Sequence, residues 1–164
     1  MTIFHAVSVL ATLLCSLVAG FLLAFAVVVM PGISRLDDGG FLRAFQVIDG
    51  VIQDRPPVFV LVWVGSVLAV VAAALLGIWV LSGLDRVLVI VGALVYVFCV
   101  QLPTVTINIP LNNTLQRLDS RTMNETERAQ ARKNFERRWN RWNVIRTACA
   151  SVASILLMLL LLRV

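Results

Sequence analysis

The sequence predicts an all-α protein: a four-helix transmembrane bundle with an amphipathic first loop and a cytoplasmic extension of the fourth helix. Three observations predict it. Of the 164 residues, 60% are hydrophobic, against the roughly 45–50% apolar usage of soluble domains, and the mean hydropathy is +0.92. Four apolar runs, at about residues 5–30, 58–81, 87–108 and 144–162, are each long enough to cross a hydrocarbon core of about 30 Å. Of the fourteen Lys and Arg residues, twelve fall in the segments that such a bundle would place on one side. The length suggests a single membrane domain spanning residues 1–164.

The first run has no Lys or Arg before it and is too long for the apolar region of a secretory signal, so it reads as a span. Ser16, Gly20 and Ala24 stand four apart, a spacing that lets a neighbouring helix approach closely. Pro31-Gly32 is expected to end the helix. In the segment 31–57, Phe41, Phe45, Ile48 and Ile52 share one helical face, which predicts a short amphipathic helix at the interface. Gln46 and Asp49 lie off that face. Pro56-Pro57 separates this piece from the second span. There Gly65, Ala69, Ala73 and Gly77 form a four-residue ladder of small side chains, the pattern of a packing seam. Trp63 and Trp79 sit near its two ends, as interfacial aromatics do.

After a tight turn at residues 82–86, the third span runs into an unusual stretch, residues 101–115. Gln101, Thr104, Asn108 and Asn112 align on one helical face, and Pro103 and Pro110 interrupt the same stretch. Proline within a membrane helix frees carbonyls that need new partners. Beyond Pro110, Leu111, Leu115 and Leu118 make a short apolar face. Thr122-Met123-Asn124-Glu125 matches a capping box, so a helix is expected to start there. It is charged as far as Arg141 and apolar from Val144, with Trp139 and Trp142 at the crossing point.

Nine of the basic residues lie between Arg117 and Arg146. Because that block feeds straight into a span, its expected counter-charge is anionic lipid headgroups and not nucleic acid. The positive-inside rule places loops one and three in the cytoplasm and both termini outside, in a bacterial inner membrane. The expected partners are the lipid bilayer and a second copy in a homo-oligomer. Three cysteines without a CxxC and one histidine, His5, indicate neither a disulfide framework nor a metal site. No cofactor is expected, and no phosphate-loop, HExxH, haem-attachment or Ser/His/Asp pattern occurs.

The fourth span has a polar face of its own: Asn143, Thr147, Ser151 and Ser154, with Arg146 beside it. Antiparallel packing would bring Asn108 and Asn112 towards Asn143 and Arg146. A cation near the bilayer interior needs a partner, so Arg146 either meets an amide carbonyl, Asp49 or an acidic ligand group, or snorkels to the headgroups. Likewise the tryptophans either anchor a belt or wall a site, and Asn108 and Asn112 either cap the turn at Pro110, hydrogen-bond between helices or line that site.

Met30-Pro31, Gln46, Asn108-Ile109-Pro110-Leu111-Asn112, Phe135, Trp139, Trp142-Asn143 and Arg146-Thr147 together form a pattern covering nearly the whole chain. It resembles the family of small four-span membrane proteins that includes the anthrone oxygenases of polyketide pathways. The resemblance implies a cofactor-independent monooxygenase, an oxidoreductase that turns an anthrone into an anthraquinone with molecular oxygen. Such chemistry needs an apolar slot, donors for a developing oxyanion and a base. Asn108, Asn112, Asn143 and Arg146 are the candidate donors and Asp49 the candidate base. Gln46, Gln101, Thr104, Trp139, Trp142 and Thr147 are the candidate binding residues. The resemblance also implies a small aromatic molecule, planar and phenolic, as partner, and its pocket is expected between spans three and four and loop one. His5 is excluded, being about 25 residues or roughly 37 Å from that end of the first span. The alternative is a non-catalytic membrane subunit or scaffold that uses the same polar residues for helix packing and for lipid or partner docking. A channel or transporter ranks third, since no charge lies mid-span.

Overall fold

The structure, a computed structural model, describes residues 2–164. Within them the chain forms five helices: α1 (Ile3–Ile33), α2 (Asp38–Gln53), α3 (Pro57–Val80), α4 (Gly83–Gln116) and α5 (Glu125–Leu161). Among the described residues there is no strand. All but α2 are long and apolar enough to cross a membrane, which fits an integral membrane protein. The chain alternates direction, so α2, the α4–α5 turn and the charged start of α5 share one end of the bundle.

Helix α1 packs on α3 and α5, and α4 packs on α3 and α5. The α3 ladder is a seam as expected: Ala69, Ala73 and Gly77 are buried. A Cβ on Gly77 would stand 2.7 Å from Val89 Cγ1, and one on Gly65 would stand 3.2 Å from Leu14 Cδ1. The expected α1 ladder is not the packing face, for a Cβ on Gly20 would have no neighbour within 4 Å. Ala11, Cys15 and Ala19, also four apart, are buried in its place. Two small-residue ladders run along α1, and the bundle uses the one beside the buried Val18 and Leu22.

At the loop-one end a second core forms as the apolar face of α2 lies on α5, with Phe41, Leu42 and Phe45 against Phe135 and Trp139. Arg132 clamps this end. It donates to the carbonyls of Ser34 (2.8 Å) and Leu36 (3.0 Å), pairs with Asp38 (3.1 Å) and Glu136 (2.7 Å), and stacks over Phe41. At the far end Arg163 pairs with Asp85, Arg86 caps α3 through the Leu81 carbonyl, and Gly83 turns the chain at φ +52°.

The prolines do not end the helices. Pro31, Pro103 and Pro110 are each preceded by a wide π-helical segment, at Phe25–Val29, Val95–Gln101 and Thr104–Asn108. A proline ring collides with the carbonyl four residues back. Those carbonyls belong to Val27, Cys99 and Thr106, and all three lie within the wide turns. Widening to an i→i−5 bond, as from Ile109 N–H to the Thr104 carbonyl, relieves the collision while the helix continues. Helix α1 therefore reaches Ile33 and α4 reaches Gln116, past the expected ends. The capping box of α5 is also two residues later than the sequence suggested. Asn124 Oδ1 accepts from Glu127 N–H at 2.9 Å, and Glu127 Oε2 accepts from Asn124 N–H at 2.8 Å. Thr122 is engaged in the preceding turn through the Asp119 carbonyl.

Candidate functional site

The amide stripe of α4 turns inward at the loop-one end, where the π segment holds Thr104 and Asn108 buried. Opposite, α5 buries Trp139, Asn143 and Arg146, and α2 buries Asp49. Between them is a cavity of about 410 Å³, within the range of small-molecule sites. Its polar wall is Asp49, Thr104, Asn108, Asn112, Asn143 and Arg146. Its aromatic walls are Phe21, Phe25, Phe45, Phe59, Trp63 and Trp139.

The aromatic side chains form one connected series. Phe59 stacks on Trp63 with centroids 5.3 Å apart, and Phe21 meets Phe59 at 5.5 Å and Phe25 at 5.0 Å. Phe25 then meets Trp139 at 5.6 Å, and Phe45 meets it at 5.4 Å. Faces and edges of rings at such spacings suit a planar guest.

The polar wall is a hydrogen-bonded chain. Trp139 Nε1 donates to Asn112 Oδ1 at 2.7 Å, and Asn112 Nδ2 donates to Asp49 Oδ1 at 2.7 Å. Gln53 and Gln116 donate to Asp49 Oδ2 at 2.7 and 2.9 Å. The buried carboxylate is thus held by three amides and no cation. Asn108 Nδ2 reaches the Trp139 carbonyl at 3.4 Å, while its Oδ1 has no partner. Asn143 Nδ2 donates to the Leu22 carbonyl at 3.0 Å.

Arg146 does not snorkel; it is 3% exposed. Its guanidinium donates to Thr104 Oγ1 at 2.8 Å and Asn143 Oδ1 at 3.0 Å, and lies 5.9 Å from the Trp139 ring centroid. Its Nε has no partner. Among the described residues, the ion pairs are formed by Arg132 and Arg163 alone.

Seven of the eleven candidate residues therefore meet at one cavity: Asp49, Thr104, Asn108, Asn112, Trp139, Asn143 and Arg146. Four do not line it. Gln46 donates to the carbonyls of Leu115 and Leu118, closing the end of α4. Gln101 accepts from Trp63 Nε1 at 3.0 Å, which orients a wall from behind. Thr147 donates back to the Asn143 carbonyl. Trp142 is half-buried and outside the lining. The first and second spans also contribute walls that the sequence pattern did not assign. Phe21 and Phe25 stand four apart, as do Phe59 and Trp63; that spacing at the loop-one ends was the available signal. The mouth includes Gln53, Asn113 and Arg55, whose backbone is left-handed at φ 54°. Among the described residues no group of three His, Cys, Asp or Glu side chains is placed to hold a metal ion.

A family model described as anthrone oxygenase matches residues 57–156. No curated protein and no solved structure matches the chain.

Proposed function

The chain belongs to the anthrone oxygenase family, and from that premise we propose that it binds a planar phenolic molecule in the α2–α4–α5 cavity and oxidises it with molecular oxygen. The observation that carries the reading is the convergence of Asp49, Asn108, Asn112, Asn143 and Arg146 on one aromatic-walled space. In this reading the rings lie between Phe25 and Trp139 on one side and Phe59 and Trp63 on the other. Asp49 takes a proton from the ring methylene, and the oxyanion that develops on the ketone oxygen accepts from Arg146 and the amides. The electron-rich carbon then reacts with oxygen. One oxygen atom stays on that carbon as the new ketone, and the other leaves as water with both methylene hydrogens.

The protein acts as a single membrane domain, with loops one and three and the cavity at the cytoplasmic face of a bacterial inner membrane. The exposed basic face of α5, with Arg137, Arg138 and Arg141, meets anionic headgroups. Purified protein incubated with an anthrone and oxygen, with and without chelator, should form quinone and consume oxygen. Asn112→Ala and Arg146→Ala should abolish both in protein that remains folded. Unchanged turnover in the variants would remove the enzyme reading. A second reading, a non-catalytic scaffold, is favoured by one observation: Gln46, Gln116 and Asn143 each bond a neighbouring segment's backbone. It requires that such variants lose stability in detergent while no planar phenol binds the parent protein.

A further inference from the structure

Arg146 is a buried cation without an anion. Both of its hydrogen-bond partners, Thr104 Oγ1 and Asn143 Oδ1, are neutral. The carboxylate on the same cavity, Asp49, is engaged by three amides, and no ion pair joins it to Arg146. A guanidinium removed from water and provided only with neutral partners is costly. It also retains binding capacity. Of its five N–H donors, two are used, and the Nε–H among the remaining three is buried and unpartnered. On the same wall Asn108 Oδ1 is a buried acceptor without a donor. Arg146 and Asn108 both line the cavity, so one unmatched positive charge and one unmatched acceptor belong to its wall, their unpartnered Nε and Oδ1 atoms each sealed from water.

We propose that the ligand of this cavity is a hydroxylated aromatic acid, whose carboxylate is the counter-ion of Arg146 and whose hydroxyl donates to Asn108. This rests on reading the cavity as a ligand site and goes further by naming the acidic class. A carboxylate takes two of the free guanidinium donors side by side, leaving one for a neighbouring ring oxygen. Fatty acids and phospholipid phosphates of the surrounding bilayer offer the same anionic oxygen. The six aromatic walls favour a flat ring system over an acyl chain.

The test is binding to purified protein in uncharged detergent, read by quenching of tryptophan fluorescence and by calorimetry. The probes are 3-hydroxy-2-naphthoate, its methyl ester, 2-naphthol and oleate. The acid should bind at least about tenfold more tightly than its ester or 2-naphthol, the worth of one charge-assisted pair. Arg146→Gln should erase that preference and Arg146→Lys should keep most of it. The acid–ester comparison in the parent protein stands even if Arg146→Gln does not fold. Equal binding of acid and ester, or tighter binding of oleate than of the naphthoate, would overturn the proposal. If the naphthoate fails to bind while an anthrone is still oxidised, the acidic class is wrong and the oxygenase reading survives. If neither occurs, both fall.

Discussion

Asn112 couples two parts of the site, because its two ends hold different partners. Its carbonyl fixes the Trp139 indole and its amino group faces Asp49. Replacing it with leucine leaves a buried indole N–H and a buried carboxylate each short of a partner, and should lower stability by about 1–3 kcal/mol. Asn112→Asp should cost more, since it sets a second carboxylate against Asp49. Thermal denaturation in detergent would rank the two variants. If Asn112→Asp proved as stable as Asn112→Leu, the amino group of Asn112 would not be the one that faces Asp49. Loss of activity in Asn112 variants therefore mixes chemistry with structure. Asp49→Asn removes the proton acceptor at constant size but sets its new amino group against the Asn112 donor or the Gln53 and Gln116 donors, so its melting temperature is read beside its turnover. If Asp49 is the base, turnover should fall by about 10²-fold or more while ligand binding persists. Unchanged turnover would require another base.

The elements place these side chains through their irregularities. Each of the three in-span prolines follows a wide turn, and the α4 pair of turns brings Thr104 against Arg146 and Asn108 against the Trp139 carbonyl. Replacing Pro103 and Pro110 together with alanine removes the reason for widening. The helix can then return to regular winding, where one residue of slack turns everything beyond it by about 100°. The double variant should remain helical by circular dichroism yet lose ligand binding. Binding that survived intact would mean that the wide turns do not depend on the prolines. The small-residue ladders allow a paired comparison. Gly77→Ala meets Val89 at 2.7 Å, whereas Gly20→Ala meets nothing within 4 Å. The first should destabilise by about 1–3 kcal/mol, and the second should leave the melting temperature unchanged or slightly raised.

At the scale of the whole molecule, the spans were legible because bilayer thickness fixes how long an apolar run must be. The polar half of the cavity was legible for a related reason: an amide or guanidinium stands out in an apolar run and must find company. Of the aromatic half, Trp139 alone was assigned to the site from the sequence. Phe21 and Phe25, which line the cavity, carry only their four-residue spacing as a signal, and taken singly they read no differently from the exposed Phe98, since lipid and an apolar cavity favour the same side chains. Helix ends were misplaced where proline coincided with a π turn, which no local pattern announced. Sidedness rests on charge alone, and it can be argued to a test. Twelve of the fourteen basic residues lie at the cavity end and two at the other, while eight of the nine acidic residues accompany the twelve. Net charge thus understates the asymmetry, but insertion responds to Lys and Arg and little to Asp and Glu. A fluorescent reporter inserted in the α4–α5 turn should therefore light up in the cytoplasm. Alkaline phosphatase fused after Val164 is active only when exported, and this fusion should be active. The reverse pattern would move the cavity to the outer face and make an extracellular or outer-leaflet ligand the one to seek.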